Sequence, residues 1–183
     1  MIRAHSHGST IVKLTLVSAC AAMVILWPTW RVALQTFGYY QEGRMTGGGG
    51  CDVPGLKVTH GFQLHCDPSD APNTLEVNWQ VAGETGSHQF HLETLDTAIC
   101  IDDPNFDEGQ PVAGFDTYIG SGAGRYDGAA GAIASWVFTD KGEPGKDDTL
   151  VITIRVGGPP VLSVSCTLGN KGGNHQAHKA QPE

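Results

Sequence analysis

A chain of 183 residues is long enough for one domain with a substantial core, but too short for two domains in addition to an N-terminal segment. Charge is unevenly distributed: the first 44 residues contain four of the eleven basic residues and one acidic residue, whereas the remainder has seven basic and eighteen acidic residues, a net charge of −11. Such an acidic surface repels phosphate groups, so nucleic-acid binding is excluded as a function.

The N-terminal segment has the composition of an export signal. Residues 1–13 are predicted to be a basic cytoplasmic region, and the apolar run LTLVSACAAMVILWPTW indicates a signal peptide or a single transmembrane anchor over residues 14–34. This run is short for crossing a bilayer, although the aromatic residues that follow it suit a membrane interface. Cys20 in VSAC resembles a lipidation site, although the apolar run continues beyond it. Cleavage, retention and lipidation all stay open, and each places the acidic part outside the cytoplasm.

Beyond this segment the pattern is that of a β protein. Residues 35–50, which end in TGGGG, are predicted to be a flexible linker, and residues 169–183 a polar tail. Between them, short runs of β-forming residues with a period of two alternate with turn residues. Typical runs are TLEVNWQV, HQFHLETL, TLVITIRV and PVLSVSCTL. The predicted fold is therefore all-β, an antiparallel β-sandwich of about seven or eight strands over residues 51–168, with a small barrel as the related possibility.

One region interrupts the strand pattern. Residues 102–131 are predicted to form a long excursion with one short strand at 115–119. The glycine-rich GSGAGR within this excursion lacks the spacing of a phosphate-binding loop and is better explained as a β-turn or bulge.

The cysteines after the N-terminal segment indicate disulfides. An even number in an exported chain is typical of disulfide pairs, and no CxxC spacing suggests a zinc or redox site. Three pairings are possible from these residues alone; the cysteines are Cys51, Cys66, Cys100 and Cys166.

Several motifs together resemble a β-rich domain of unknown function found in exported bacterial surface proteins. The resemblance covers residues 45–178, and the motifs are MTGGGG, THGFQLHCD, PNTLEVNW, FHLE, CIDDP, FDTYIGSGAGRY, FTDKGEPGKDD and GNHQAH. No established activity comes with it. The family pattern contains the cysteines that match Cys66 and Cys100, but none at the positions of Cys51 and Cys166. The resemblance therefore implies Cys66–Cys100 and an additional Cys51–Cys166 pair, the second of which ties the first strand of the domain to its last.

Metal binding has weaker support. Calcium prefers oxygen ligands on flexible loops, and the acidic side chains best placed for it are Asp102, Asp103, Asp140 and Asp148. Neither acidic cluster has EF-hand spacing, and turn formation explains Asp102-Asp103-Pro104 equally well. Zinc would need three or four converging histidines. On a regular strand His60 shares a face with Phe62 and Leu64, so it is predicted to face the core and to need a hydrogen-bond partner.

No catalytic motif is present, so enzymatic activity is not expected. The favoured hypothesis is an exported, membrane-tethered domain with a non-catalytic binding, adhesion or structural role at the cell surface, whose ligand is an extracellular protein or a glycan. The alternative is a metal-dependent extracellular hydrolase that uses histidine and acidic residues. Trp79, Tyr118, Tyr126 and Trp136 could form a ligand platform, but core positions explain them better. The oligomeric state is not determined by the sequence.

Overall fold

The computed structural model describes residues 42–106, 113–169 and 172–180. The predicted signal or anchor lies outside these residues, and within them no helix is long and apolar enough to cross a membrane. Nine strands are present in this part of the chain: β1 (Gly43–Val53), β2 (Leu56–His65), β3 (Thr74–Val81), β4 (His88–Ile101), β5 (Thr117–Tyr126), β6 (Ala129–Thr139), β7 (Thr149–Arg155), β8 (Pro160–Thr167) and β9 (Gly173–Lys179).

The strands form one antiparallel sheet with the order β8-β7-β6-β5-β4-β3-β2-β1-β9. From β1 to β8, consecutive strands pair with each other, and β9 pairs with the remaining side of β1. The predicted all-β antiparallel class is confirmed. The sequence predicted two packed sheets of seven or eight strands, whereas a single curled sheet buries its own inner face. A meander of this kind has the same period-two pattern as a sandwich, so the pattern alone does not distinguish them.

Side chains alternate between a buried inner face and an exposed outer face. On β2, for example, Val58, His60, Phe62 and Leu64 are buried, whereas Thr59 and Gly61 are exposed. The largest completely buried aromatic side chains lie on β4 to β6 and in the loop before β5. They are Trp136, Tyr118, Phe90, Phe115 and Phe138. The core is therefore the interior of the curl, and the outer face is where a ligand can bind.

The prediction of a flexible linker over residues 35–50 is wrong for its second half, because Gly43 to Gly50 lie in β1. Their small size is required by the neighbouring strands. A Cβ atom on Gly47 would lie 2.9 Å from the Cα of His175, and one on Gly49 would lie 2.7 Å from the Cα of Gly173. The glycine run is therefore a strand with closely packed neighbours, and the domain begins before the predicted boundary at residue 51.

The prediction of a polar tail over residues 169–183 is also wrong where β9 forms. Pairing with β1 gives this strand its backbone hydrogen bonds on one side. On the other side, two of its N–H groups donate to carboxylates of the β6–β7 loop: His175 to Asp148 at 2.6 Å and Ala177 to Asp140 at 2.8 Å. This polar segment is therefore a strand. Its second edge forms hydrogen bonds with side chains rather than with another strand.

The glycine-rich GSGAGR is part of β5 rather than a turn in a long excursion. Its alternate glycines face the core and leave room for large side chains. A Cβ atom on Gly120 would lie 2.7 Å from the Trp136 ring, and one on Gly124 would lie 2.9 Å from the Phe90 ring. These glycines therefore accommodate the buried aromatic residues of the neighbouring strands.

Substitution of Gly120 by alanine is expected to lower the free energy of unfolding by about 1–3 kcal/mol, because the added methyl group overpacks the contact with Trp136. Gly61 on the outer face is the matched control, since its Cβ would meet nothing within 4 Å. Chemical denaturation of both variants checks the difference. An equal effect of the two substitutions would contradict the close packing of Gly120.

Two disulfides tie the sheet together. Cys51 on β1 is bonded to Cys166 on β8, and Cys66 after β2 is bonded to Cys100 on β4. This is the pairing that the resemblance implied. The first bond joins strands from opposite ends of the β1–β8 series, so it holds the curl closed. Disulfides of this kind are typical of oxidising, extracytoplasmic compartments.

Candidate ligand-binding site

An open depression of about 470 Å³ lies on the outer face of β2, β3 and the start of β4; it is called the trough below. Its side chains come from these three adjacent strands. The lining residues are Thr59, His60, Gly61, Thr74, Glu76, Asn78 and His91. Because β2 alternates between faces, the His60 side chain points to the core and contributes only backbone, and the residues other than His60 and Gly61 provide the side-chain surface.

The register of the sheet explains the shape of the trough. Gly61 lies opposite Glu76, and Glu76 lies opposite His91, so three strands contribute to one row. Thr59 and Asn78 face each other in the adjacent row. Gly61 is the floor, since a Cβ atom there would meet no atom within 4 Å. The trough exists because a residue without a side chain lies between longer polar ones.

The side chains on the outer face of the trough carry groups that form hydrogen bonds. Thr59, Thr74 and Asn78 supply hydroxyl and amide groups, and Glu76 accepts a hydrogen bond from His91 Nδ1 at 3.2 Å. Among the described residues, no lysine, arginine, phenylalanine, tyrosine or tryptophan side chain lines it. The chemistry favours a neutral, hydroxyl-rich ligand over an anion.

Two buried histidines lie beneath the trough. His60 of β2 and His175 of β9 are 7 % and 0 % exposed, and their Nε2 atoms are 2.7 Å apart. The carbonyl oxygen of Thr139 accepts a hydrogen bond from His175 Nδ1, which assigns Nε2 of the neutral His175 ring as an acceptor and Nε2 of His60 as the donor. The predicted partner of His60 is therefore another histidine, supplied by a segment expected to be a tail.

Burial controls the charge of this histidine pair. Desolvation lowers the pKa of His60 to about 4, opposed in part by the backbone of Gly49. Desolvation, together with the nearby His60, lowers the pKa of His175 to about 3. Phe62 and Phe138 surround the pair with ring centroids 5.1 and 5.3 Å from that of His175. Both rings are neutral at physiological pH, so the pair is a buried polar link between β2 and β9.

The other histidine near the C-terminus does not join this pair. His178 lies on the opposite face of β9 from His175, since side chains alternate along a strand. Its Nε2 is 2.8 Å from the hydroxyl oxygen of Thr46 on β1. The two histidines of the GNHQAH motif therefore make separate contacts, one inside the sheet and one outside.

The four calcium candidates lie on two loops. Asp140 and Asp148, on the β6–β7 loop, each accept two backbone N–H groups, one per carboxylate oxygen. Asp103, before β5, binds the backbone and side chain of Asn105, and its neighbour Asp102 is exposed. In residues 42–106, 113–169 and 172–180, no set of three or more His, Cys, Asp or Glu side chains is placed to hold a metal ion. Asp103, Asp140 and Asp148 thus shape their loops, and calcium binding stays a prediction.

Asp148 is the most unusual of these carboxylates. It is completely buried, and desolvation raises its pKa to about 6, with Asp140 and Glu143 adding to the increase and the N–H groups of His175 and Lys141 opposing it. Its position explains this environment: it connects the β6–β7 loop to β9. Asp148 is therefore a structural carboxylate of the β9 edge.

A second polar cluster surrounds His88 at one end of the sheet. Asp127 Oδ2 is 2.8 Å from His88 Nδ1, and the Tyr126 hydroxyl lies 2.9 Å from the same nitrogen. Hydrogen bonding to Asp127 raises the pKa of His88. Asp127 adopts a φ of 48° in the turn between β5 and β6, a conformation that aspartate tolerates before glycine. The sequence did not identify this cluster, since its members come from β4 and a distant hairpin turn.

The aromatic residues considered as a ligand platform mostly belong to the core. Trp79, Tyr118 and Trp136 are 3 %, 0 % and 2 % exposed, and Tyr126 is partly buried against Trp79 and His88. The hydroxyl of Tyr118 donates to the carbonyl of His65 at 2.8 Å. They stabilise the interior of the curl, and they do not line the trough.

The trough itself could not be located from the sequence. Its residues were visible only as polar positions within strands, and His91 and Glu76 are 15 positions apart. The available signal was Gly61, a glycine at an outward position of an otherwise regular strand.

Comparison of the chain with models of known families, with curated proteins and with solved structures finds no match.

Proposed function

We propose that this chain is an exported, membrane-tethered extracytoplasmic domain that binds a neutral glycan in the trough at the cell surface, without catalysing a reaction. The observation that carries the proposal is the trough itself, with the bare backbone of Gly61 as its floor and polar side chains around it. Proteins place such hydrogen-bonding groups on a rigid scaffold to orient polar ligands.

Export and tethering are supported by separate features. Two disulfides in one domain suit an oxidising compartment. The apolar run of residues 14–34 supplies the proposed tether. The net charge of −11 after Arg44 keeps such a domain soluble at a surface and disfavours anionic partners.

A glycan fits the trough better than an extended peptide. Peptides commonly bind by adding a strand to a free sheet edge, whereas the trough lies on a sheet face whose backbone groups already pair with neighbouring strands. Only side chains remain to recognise the ligand, and their hydroxyl, amide and carboxylate groups match sugar hydroxyls. The absence of lysine and arginine from the lining disfavours acidic sugars.

A metal-dependent hydrolase receives less support from the described residues. His60 and His175 bind each other in the core, and Asp140 and Asp148 bind backbone N–H groups. A hydrolytic site instead needs ligands that converge on an open position.

The proposal is tested by screening the full chain, in a mild detergent, against an array of neutral glycans and peptides. Glycans that bind are then tested with Gly61→Trp, which fills the trough at a position with open space for a side chain. Binding is expected to be lost. Selective binding of peptides, or binding to no glycan on a broad array, would contradict the proposed ligand class.

A further inference from the structure

A row of basic side chains crosses the outer face of β2, β1 and β9. Strand pairing places Arg44 between His65 and His178, and the alternation of each strand turns all three away from the core. These three residues are called the basic row below. The next row on the same face has only neutral polar side chains, which are Gln63, Thr46 and Gln176. The two rows therefore contain no acidic side chain, although the sequence after Arg44 has a net charge of −11.

Arg44 has a polar atom without a partner. Its Nε is buried and forms no hydrogen bond with any described residue. The two other arginines in this part of the chain do have partners: Arg125 donates to Glu93 at 2.6 Å, and Arg155 donates to the carbonyl oxygen of Gly158 at 3.5 Å. A guanidinium group is always charged and has five N–H donors, and burying such a donor without an acceptor is unfavourable. Arg44 is therefore the arginine whose donors are free for a ligand.

The nearby acidic side chain does not neutralise Arg44. Burial and the positive charge of Arg44 lower the pKa of His178, whereas Asp140 raises it, so both charges lie near this histidine. The two carboxylate oxygens of Asp140, however, accept the N–H groups of Gly142 and Ala177. Within the part of the chain that the structure describes, no carboxylate forms an ion pair with Arg44. The positive charge of the basic row is therefore open to an anion.

The donors of these two rows match a phosphate group. A guanidinium group binds phosphate oxygens through two parallel hydrogen bonds, a geometry that lysine cannot provide. The Thr46 hydroxyl and the amide groups of Gln63 and Gln176 can donate further hydrogen bonds from the adjacent row. This chemistry differs from that of the trough, which has no arginine or lysine among its described lining residues.

The N-terminal segment indicates where the phosphate comes from. The inference rests on the proposed function, in which residues 14–34 tether the chain to a membrane. Ten residues separate position 34 from Arg44, so the chain between them spans at most about 35 Å. Basic side chains near an anionic membrane surface are attracted to it, whereas the acidic remainder of the domain is repelled. We propose that the basic row binds the phosphate group of an anionic phospholipid in this membrane.

Titration of phosphatidylglycerol into the full chain in neutral detergent micelles tests this inference, with binding followed by NMR at the backbone amide of Thr46. Arg44→Gln is expected to raise the dissociation constant at least tenfold. Arg44→Lys keeps the charge but loses the paired hydrogen bonds, so it should raise the constant at least threefold, and it keeps the test valid if the first variant folds poorly. Arg125→Gln removes the same charge from an exposed position on β5, and as the matched control it should stay within twofold of the original chain.

Three outcomes would overturn the inference. The first is no change at Thr46 on addition of phosphatidylglycerol, and the second is a loss of affinity in Arg44→Gln and Arg44→Lys no greater than in Arg125→Gln. The third is binding of inorganic phosphate as tight as that of phosphatidylglycerol, which would indicate a site for free phosphate rather than for a lipid.

The result can be separated from the test of the proposed function. His65, which pairs with Arg44, lies four residues along β2 from Gly61, a distance of roughly 13 Å. Arg44→Gln should therefore leave glycan binding within twofold of the original chain. Micelles also make the lipid titration independent of whether residues 14–34 span a bilayer. A failure of lipid binding can thus be distinguished from a failure of glycan binding or of the tether.

Discussion

Lowering the pH from 6.5 to 4 is expected to reduce the free energy of unfolding by about 3 kcal/mol, chiefly because of the buried His60–His175 pair. In the folded chain the pKa values of His60 and His175 are lowered to about 4 and about 3, whereas in the unfolded chain both return to about 6.5. Below pH 6.5 the unfolded state therefore binds more protons, and stability falls as the pH falls. From these shifts the two rings together account for roughly 5 kcal/mol over this range.

Asp148 acts in the opposite direction. Its pKa is raised to about 6 in the folded chain from the ordinary value of 3.8, so between these values the folded state binds the extra proton. As the pH falls, protonation of this carboxyl group therefore adds about 2 kcal/mol to the free energy of unfolding. Set against the loss from the two histidines, this gain leaves the net loss of about 3 kcal/mol. The loss is large compared with a typical total stability of about 5–15 kcal/mol.

Urea titrations at pH 7, 5.5 and 4, followed by tryptophan fluorescence, check this expectation. The double variant His60→Gln and His175→Gln keeps hydrogen-bonding groups but removes both titrations, so its acid-induced loss should disappear and only the gain from Asp148 should remain. His91→Gln, which replaces a histidine of the exposed outer face, is the control and should retain the loss. A double variant as acid-sensitive as the original chain would show that other groups control the pH dependence.

Removal of the Cys51–Cys166 disulfide is expected to lower the free energy of unfolding by about 5 kcal/mol. The bond spans 115 residues and joins β1 to β8. A crosslink of this length greatly reduces the conformational entropy of the unfolded chain. The Cys66–Cys100 bond spans 34 residues, so its removal should cost less, about 4 kcal/mol.

Chemical denaturation of two double variants, Cys51→Ala with Cys166→Ala and Cys66→Ala with Cys100→Ala, measures both effects. Peptide mapping of the intact chain under non-reducing conditions is the accompanying control. Recovery of a Cys51–Cys66 or Cys51–Cys100 peptide would contradict the pairing. A chain that is no less stable without Cys51 and Cys166 would contradict the view that this bond holds the curl closed.

The sequence predicted the fold class because the strand pattern is local. Alternation within β2 correctly identified the buried face and placed His60 on it, and β-forming runs marked most strands. Disulfide pairing depends on which strands meet, and the chain alone left three possibilities. The pairing expected from the motif pattern, rather than any local signal, matches the observed pairs.

Two of the segments that were predicted wrongly share a physical cause. Glycine is flexible in isolation, so the run before Cys51 suggested a linker, yet contacts with β2 and β9 order it as β1. The polar GNHQAH suggested a tail, yet Asp140 and Asp148 complete its edge as β9. In both cases the decisive partners are distant in the chain, and local propensity contains no information about them.

The trough depends on register as well as on strand order. Thr59, Glu76 and His91 lie on one surface only because β2, β3 and β4 pair in the observed alignment. A shift of one residue in any strand would turn its side chains to the opposite face. The histidine pair likewise requires β9 beside β1, so neither feature could be predicted before the strands were paired.

The most direct test of the central claim is to titrate a neutral glycan selected by the array into the full chain and two variants. Gly61→Trp fills the trough, whereas Ser163→Trp adds the same side chain to the exposed outer face of β8. If the glycan binds in the trough, the dissociation constant should be at least tenfold higher for Gly61→Trp and within twofold of the original for Ser163→Trp. Unchanged affinity in a correctly folded Gly61→Trp chain would contradict glycan binding in the trough.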